Sequence, residues 1–147
     1  MKISNKKAFF NYEVLERFEA GIVLSGAEVK SIRDGRCDLK NSFVKILNDE
    51  VWLLNASIAR YKYDGSSDYD PERTRKLLIT KREKEYIQSK IKQGNLTLVP
   101  LSVYTKGDRI KVEFALARGK KGYEKKKAEK EKDLDRDLLY DKREYMV

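Results

Sequence analysis

The sequence predicts a mainly β protein with short helices: a small antiparallel barrel followed by a charged C-terminal tail. Between residues 9 and 117, short apolar segments alternate with turns rich in glycine, asparagine and aspartate. When such a set of short strands closes into a barrel, no edge strand is left with unpaired backbone groups. After residue 117, charged residues dominate and the few apolar ones are too sparse to stabilise a helix in water. We therefore expect a folded body over 1–117 and a tail over 118–147 that is disordered alone and helical when bound.

Five elements are expected in the first half of the chain, each ended by a turn signal. They are a strand with a bulge or bend over 9–18, a short strand over 21–26, a helix over 27–36 and a hairpin of strands 42–47 and 51–58. The helix should end at a glycine, the usual C-terminal stop. The hairpin should turn through the polar residues between its strands.

The second half begins with a tyrosine-rich loop over 60–72. A strand over 75–80, a helix ending at Gln93 and two strands over 95–104 and 109–117 should follow. Thr80 can cap the helix, with Glu83 three residues later as its capping-box partner. Among barrels built from about six strands and two short helices, the oligonucleotide-binding (OB) barrel is the commonest form that binds RNA.

The charge balance points to a polyanionic partner. The chain has 33 Lys+Arg against 24 Asp+Glu, a net charge of +9, and a basic surface attracts nucleic acid, ribosomes or acidic membranes. The longest apolar runs are four residues, and the N-terminus lacks the apolar stretch of a signal peptide. We expect a cytoplasmic protein without a membrane partner.

The residue types that most enzymes use are scarce. There is no histidine, and the single cysteine, Cys37, can form neither an internal disulfide nor a thiolate zinc site. No glycine-rich phosphate loop is present. We expect no catalysis, no cofactor and no metal.

Two basic clusters are candidates for contacts with RNA. The first surrounds Tyr123 with lysines, which neutralise phosphates while the tyrosine ring stacks on a base; a solubilising run of charge is the alternative. Its members are Gly119, Lys120, Lys121, Tyr123, Lys125, Lys126 and Lys127. The second comprises Arg73, Arg75 and Lys76, for which a salt-bridged strand edge is equally compatible.

Two carboxylates, Glu19 and Glu28, lie in basic surroundings. Either they pair with neighbouring cations, or they accept hydrogen bonds from base edges or ribose hydroxyls of RNA.

Two acidic groups have the spacing of metal sites. Asp133, Asp135, Asp137 and Glu144 match a calcium loop, but its sixth position is Leu138 where glycine is required. Asp68, Asp70 and Glu72 are the compact group that a metal-dependent nuclease would need. Neither group makes a complete motif.

Six blocks of sequence, in order, resemble the SsrA-binding protein family, also called small protein B. The blocks are 5–8, 18–24, 26–35, 71–78, 97–101 and 117–121, and the similarity runs from about residue 5 to 136. The resemblance implies an OB-like barrel that binds the tRNA-like part of transfer-messenger RNA (SsrA RNA) and brings it to stalled ribosomes. A general single-strand RNA-binding or ribosome-associated OB module is the alternative.

The resemblance also implies site residues. Positions matching Asn5, Glu19, Leu78 and Lys111 hold the RNA in that family. The full expected set of RNA-binding residues adds Lys6, Glu28, Lys30, Arg33, Arg75 and Lys76. The tail is associated with the empty mRNA channel and the decoding centre, but residues 122–126 read Gly-Tyr-Glu-Lys-Lys where the family often has His or Tyr before Asp-Lys-Arg.

Overall fold

The computed structural model describes residues 1–63, 65 and 68–120. Within these residues the chain forms nine strands and three helices. In chain order they are β1 (Lys2–Ser4), α1 (Lys6–Asn11), β2 (Tyr12–Ile22), α2 (Gly26–Arg33), β3 (Cys37–Asp38), β4 (Phe43–Leu47), β5 (Glu50–Leu54), β6 (Ser57–Ile58), β7 (Arg75–Leu78), α3 (Lys81–Lys92), β8 (Thr97–Lys106) and β9 (Arg109–Gly119).

The strand pairings form a closed ring. In the main sheet the order is β1-β8-β4-β5-β7-β2-β9, and β9 also pairs with β8. The ring therefore consists of the six strands from β8 to β9, and β1 pairs with β8 outside it. All of these pairings are antiparallel. The β8–β4 junction is the shortest, a single pair between Leu98 and Val44. The prediction of a mainly β protein with short helices is confirmed.

The core fills the inside of this ring and extends under two helices. Phe114 and Leu53 are almost fully buried, and Ile32 of α2 and Ile87 of α3 are buried against the same cluster. Each such side chain contributes roughly 1.5–3 kcal/mol by its burial. A second, smaller cluster packs Ala8 of α1 among side chains of β8 and β9.

The N-terminal part of the body differs from the prediction. Residues 6–11 are helical, so the strand predicted over 9–18 begins only at Tyr12. The physical reason is a tertiary contact, because the helix packs Ala8 into the smaller cluster. The predicted bulge is confirmed, because the β2–β9 register shifts between Val14 and Glu16. Of the separate strand predicted over 21–26, residues 21 and 22 are the end of β2, residues 23–25 are in no strand, and Gly26 begins α2.

Several local predictions are confirmed. Thr80 and Glu83 form the predicted capping box of α3. The hairpin of β4 and β5 turns through Asn48 and Asp49, both at positive φ, which is the geometry of a tight two-residue turn. Gly35, with φ of 76°, follows α2 in the left-handed conformation that glycine adopts most easily.

Several boundaries differ from the predicted ones. The strand predicted over 51–58 is divided into β5 and β6, and β6 pairs with β3. The strand predicted over 75–80 ends at Leu78, and the one predicted over 95–104 covers Thr97–Lys106. Helix α2 begins at Gly26 and ends at Arg33. The last strand continues two residues past the predicted end, because Gly119 of β9 pairs with Tyr12 of β2. The predicted tail, from residue 121 onward, and the calcium-like loop within it lie outside the described residues.

Among the described residues, no helix has the length and apolar character needed to cross a membrane.

Candidate nucleic-acid interface

Three of the predicted RNA-binding residues meet around one end of β2. Gly21 pairs with Leu78 of β7 on one side and with Lys111 of β9 on the other. Glu19 lies two residues earlier on β2, a spacing that places its side chain on the same face as that of position 21. Leu78 is half exposed, at 51%. An apolar side chain, a cation and a carboxylate thus lie together near the end of β2.

An open groove of about 410 Å³ runs beside these residues. Its lining includes Leu78 and Lys111 together with Val29 of α2 and Arg109 of β9. Arg33 lies next to the groove, since its Nη2 donates to the backbone oxygen of the groove residue Asp108 at 2.9 Å. The groove therefore combines an apolar floor with cations, which suits a folded polyanion carrying apolar faces.

The Glu19 carboxylate is oriented by two donors. The Tyr104 hydroxyl donates to Oε2, and Lys106 Nζ lies 3.1 Å from Oε1. The bond from Tyr104, and then that from Lys106, holds the pKa of Glu19 below its ordinary value. Burial and the bond to Glu19 raise the pKa of Tyr104, so the phenol stays protonated and acts as a donor.

Tyr104 is a site residue that the sequence analysis missed. It lies on β8 and reaches Glu19 across β9, where its direct partner is Lys111. Glu19 and Tyr104 are 85 positions apart. Only the register of three strands brings them together, and no local pattern encodes that register.

Glu28 and Arg75 require a correction, because direct contact with RNA was predicted for both and both are buried. Arg75 is 0% exposed and Glu28 1%. Arg75 Nε lies 2.6 Å from Glu28 Oε2, and its Nη1 and Nη2 donate to the backbone oxygens of Ala56 and Pro71. Buried charges have to be paired in this way. These side chains connect α2, β7 and the loop after β6 and present nothing to a ligand.

Further contacts complete the Glu28 site. Arg73 Nη2 donates to Glu28 Oε1 at 2.6 Å, and the Ser25 backbone N–H donates to the same oxygen at 2.8 Å. Burial raises the pKa of Glu28, but the hydrogen bonds from Arg73, Ser25 and Arg75 outweigh it and lower the pKa on balance. Lys76 also pairs, with Glu50 at 3.4 Å, so all three cations of the predicted second basic cluster have carboxylate partners. Contact of the half-exposed Lys76 with RNA stays a prediction.

Asn5 is also buried, at 6% exposure, and lies between β1 and α1, beside β8. Its Nδ2 donates to the Pro100 oxygen at 2.9 Å, and its backbone N–H donates to Leu101 at 2.8 Å. Ser4, the residue before it, pairs with Ser102 of β8, and both Ser102 and Glu19 pair with Glu113 of β9, so β8 and β9 separate Asn5 from Glu19. The lining of the groove does not include Asn5 or the half-buried Lys6 that follows it.

Only the first two residues of the predicted tail site are described. Gly119 is exposed and pairs with Tyr12. The Lys120 backbone N–H donates to Asn11 at 2.9 Å, and its Nζ donates to the Phe9 oxygen at 3.0 Å. The remaining predicted tail residues lie outside the described part of the chain. They are Lys121, Tyr123, Lys125, Lys126 and Lys127.

Neither a metal site nor a reactive thiol is assembled in the described part of the chain. Its residues contain no group of three or more His, Cys, Asp or Glu arranged to hold a metal ion. Asp70 instead caps a turn, accepting from the Glu72 backbone N–H at 2.9 Å. Burial raises the pKa of the Cys37 thiol to about 11, so it is protonated at neutral pH.

The comparisons with known proteins agree with one another. The model of the family described as SmpB protein matches residues 2–144. An SsrA-binding protein of Sulfurihydrogenibium sp. is 53% identical over 135 residues, covering 92% of this chain and 89% of the relative. One from Persephonella marina is 48% identical over the same shares, and one from Mycobacterium tuberculosis is 45% identical over 92% of this chain and 85% of the relative.

A solved structure agrees as well. It is described as "tmRNA-SmpB: a journey to the center of the bacterial ribosome" and superposes with a TM-score of 0.68 at 43% identity. The superposition covers 82% of this chain and 85% of the other. With a family match over nearly the whole sequence, the chain belongs to the SmpB protein family.

Proposed function

We propose that this protein binds the tRNA-like domain of transfer-messenger RNA and delivers it to stalled ribosomes for trans-translation. Membership of the SmpB family and the likeness to a tmRNA–SmpB structure support this function. The observation that carries it is the groove at the end of β2, where Leu78 and Lys111 flank Gly21 and an oriented Glu19 lies close by.

Each group in the groove has a distinct role in this proposal. Lys111 and Arg33 neutralise phosphates and so release counterions. Leu78 packs against a ribose or a base face, because an apolar side chain left half exposed gains by being covered. Glu19 accepts hydrogen bonds from a base edge or a ribose hydroxyl, contacts that distinguish RNA from other polyanions.

We infer that the closed ring of six strands acts as an OB-like barrel that keeps the groove preformed. Asn5, Glu28 and Arg75 then serve as positioning residues: Asn5 fixes the start of α1, while the buried ion pair fixes α2 beside the groove. A preformed surface binds without the cost of ordering its own side chains.

The charged tail that follows β9 completes the proposal. It would follow the mRNA channel of a ribosome that has lost its message and reach the decoding centre, ordering as a helix only there. Its lysines and Tyr123 would contact ribosomal RNA. A ribosome with a full channel would exclude it, so that delivery is limited to stalled ribosomes. The protein itself would catalyse no reaction and would act in the cytoplasm.

Binding to two RNAs of equal length tests the proposal. The tRNA-like domain of transfer-messenger RNA and an unstructured RNA are titrated with the full chain across a salt series. We expect clear preference for the folded RNA at every salt concentration. Equal affinity for both would contradict the proposal and favour a general single-strand RNA-binding module.

A further inference from the structure

A second surface is formed by the loop after β6 and by α2, the helix that also carries the groove residue Val29. Tyr61, Lys62 and Tyr63 of the loop after β6, with Lys30 of α2, form what we call the tyrosine patch. The Tyr61 and Tyr63 rings meet edge to face with centroids 5.4 Å apart. Lys30 Nζ lies 5.3 Å from the Tyr61 centroid, and Lys62 Nζ lies 4.9 Å from that of Tyr63. Tyr63 is 73% exposed, the most exposed large apolar side chain among the described residues.

The start of this loop is fixed to the body. The Ala59 backbone N–H donates to the Arg36 oxygen at 3.0 Å, and the Ile58 N–H donates to Pro71 at the same distance. The Tyr69 hydroxyl donates to the Ile58 oxygen at 2.6 Å, which ties the far side of the loop to its start. The buried Arg75 adds its bond to Pro71. Tyr61 is therefore only two residues from a hydrogen-bonded anchor, and its position is defined by the fold.

No contact among the residues that the structure describes buries Tyr63. A large aromatic ring left in water forgoes the gain of burial, and the gain from one lysine over a ring in water is small, about 0.5–1 kcal/mol. Lys62 lies over one face of the Tyr63 ring, and the high exposure of Tyr63 leaves the other face available to a ligand. Exposed aromatic rings beside lysines are the arrangement by which proteins stack unpaired bases and neutralise the adjoining phosphates.

Tyr86 of α3 also has a lysine near its ring, but its contacts are those of a tyrosine that stabilises the fold. Lys90 Nζ lies 5.5 Å from its ring centroid, much as lysines lie near Tyr61 and Tyr63. However, its ring packs against Phe18 with centroids 6.4 Å apart, and its hydroxyl donates to the Glu16 carboxylate at 2.6 Å. A carboxylate at this point repels phosphate. Tyr63 instead packs its ring on Tyr61 of the same loop, and its hydroxyl has no carboxylate partner among the described residues.

We propose that the tyrosine patch is a stacking site for an unpaired RNA base, with Tyr63 stacking on the base and Lys62 and Lys30 contacting the flanking phosphates. The site rests on the proposed function, because α2 carries both Lys30 and the groove residue Val29 and so places the patch beside the groove. An RNA bound in the groove with an unpaired base at its edge would reach both. The patch adds a preference for unpaired bases to recognition by shape.

The test measures the binding of Tyr63→Leu and Tyr63→Phe chains to the tRNA-like domain and to a polyadenylate of equal length. Leucine keeps an apolar side chain but loses the π-face, whereas phenylalanine keeps it. We expect Tyr63→Leu to weaken binding of the tRNA-like domain by roughly 5-fold to 150-fold, the range that stacking of 1–3 kcal/mol gives at ~1.4 kcal/mol per tenfold. Tyr63→Phe should remain within about twofold of the parent, because its π-face is intact.

Two further measurements complete the test. Tyr86→Leu is the matched control and should leave affinity unchanged. Ultraviolet cross-linking followed by mass spectrometry should find a nucleotide attached to Tyr63 in the parent chain. The site is overturned if Tyr63→Leu binds both RNAs as the parent does, or if Tyr63→Phe loses as much affinity as Tyr63→Leu.

The two proposals fail in different ways. If the parent prefers the tRNA-like domain and Tyr63→Leu does not weaken it, the stacking site falls and the proposed function stands. If the parent shows no preference for the folded RNA but loses affinity for polyadenylate on Tyr63→Leu, the stacking site stands and the proposed function falls. A parent chain that binds neither RNA overturns both.

Discussion

Arg75 and Glu28 form an ion pair that is almost completely removed from solvent, with Nε and Oε2 2.6 Å apart and exposures of 0% and 1%. The pair joins β7 to the first turn of α2, whose residues border the groove. Glu28 is also the capping-box residue of that helix. One carboxylate therefore both begins α2 and fixes it to the sheet.

Removing the charge of Glu28 should destabilise the body strongly. Glu28→Gln can still accept the capping hydrogen bond from Ser25 but leaves Arg75 buried without a counter-charge, which typically costs about 3–5 kcal/mol. Urea unfolding followed by far-UV circular dichroism measures the loss. Glu50→Gln is the control, because its pair with Lys76 is exposed and should contribute less than about 1 kcal/mol. Equal small effects of both substitutions would contradict a structural role for the buried pair.

The same carboxylate should contribute to acid sensitivity. Its pKa in the folded protein lies below the ordinary value of 4.5. A lowered folded-state pKa gives stability that is fully present above the unfolded pKa and is lost as the pH falls through the folded one. The free energy of unfolding should therefore decline below about pH 4.5, and less steeply in Glu28→Gln. Parallel pH profiles for the two chains would show that Glu28 does not contribute.

The buried ion pair behind these two predictions could not be predicted from the sequence, whereas several local features could. Capping of α3 by Thr80 and Glu83, the bulge in β2 and the β4–β5 hairpin could be read from local patterns, because neighbouring residues determine them. Arg75 and Glu28 are 47 positions apart. Burial of such a pair depends on how α2 packs on the ring, which no local pattern encodes.

Lys111 and Glu19 should affect RNA binding in different ways. Lys111→Ala should weaken binding of the tRNA-like domain and reduce the salt slope by about one phosphate contact. Glu19→Ala should weaken binding with little change of slope, because a hydrogen-bonding carboxylate releases no counterions. Lys81→Ala, at an 83% exposed side chain of α3, serves as the control cation. Tighter binding by Glu19→Ala would mean that this carboxylate merely pairs with Lys106.

The body should fold without the residues that follow Lys120. Truncation after Lys120 keeps the whole of β9 and the bond from Lys120 to Asn11, so the melting temperature should change little. Truncation after Ala117 removes the pairings of Arg118 and Gly119 with β2 and should lower it measurably. Differential scanning calorimetry compares the two. An equal fall of the melting temperature in both would show that residues after Lys120 stabilise the body.

Mapping the RNA on the folded protein tests the central claim most directly. Amide chemical shifts of the full chain are followed by nuclear magnetic resonance while the tRNA-like domain is added. The groove at the end of β2 predicts that the largest changes cluster at Glu19, Leu78 and Lys111, with Lys81 and Tyr86 of α3 unaffected. Changes concentrated on α3, with the three groove residues unchanged, would contradict it.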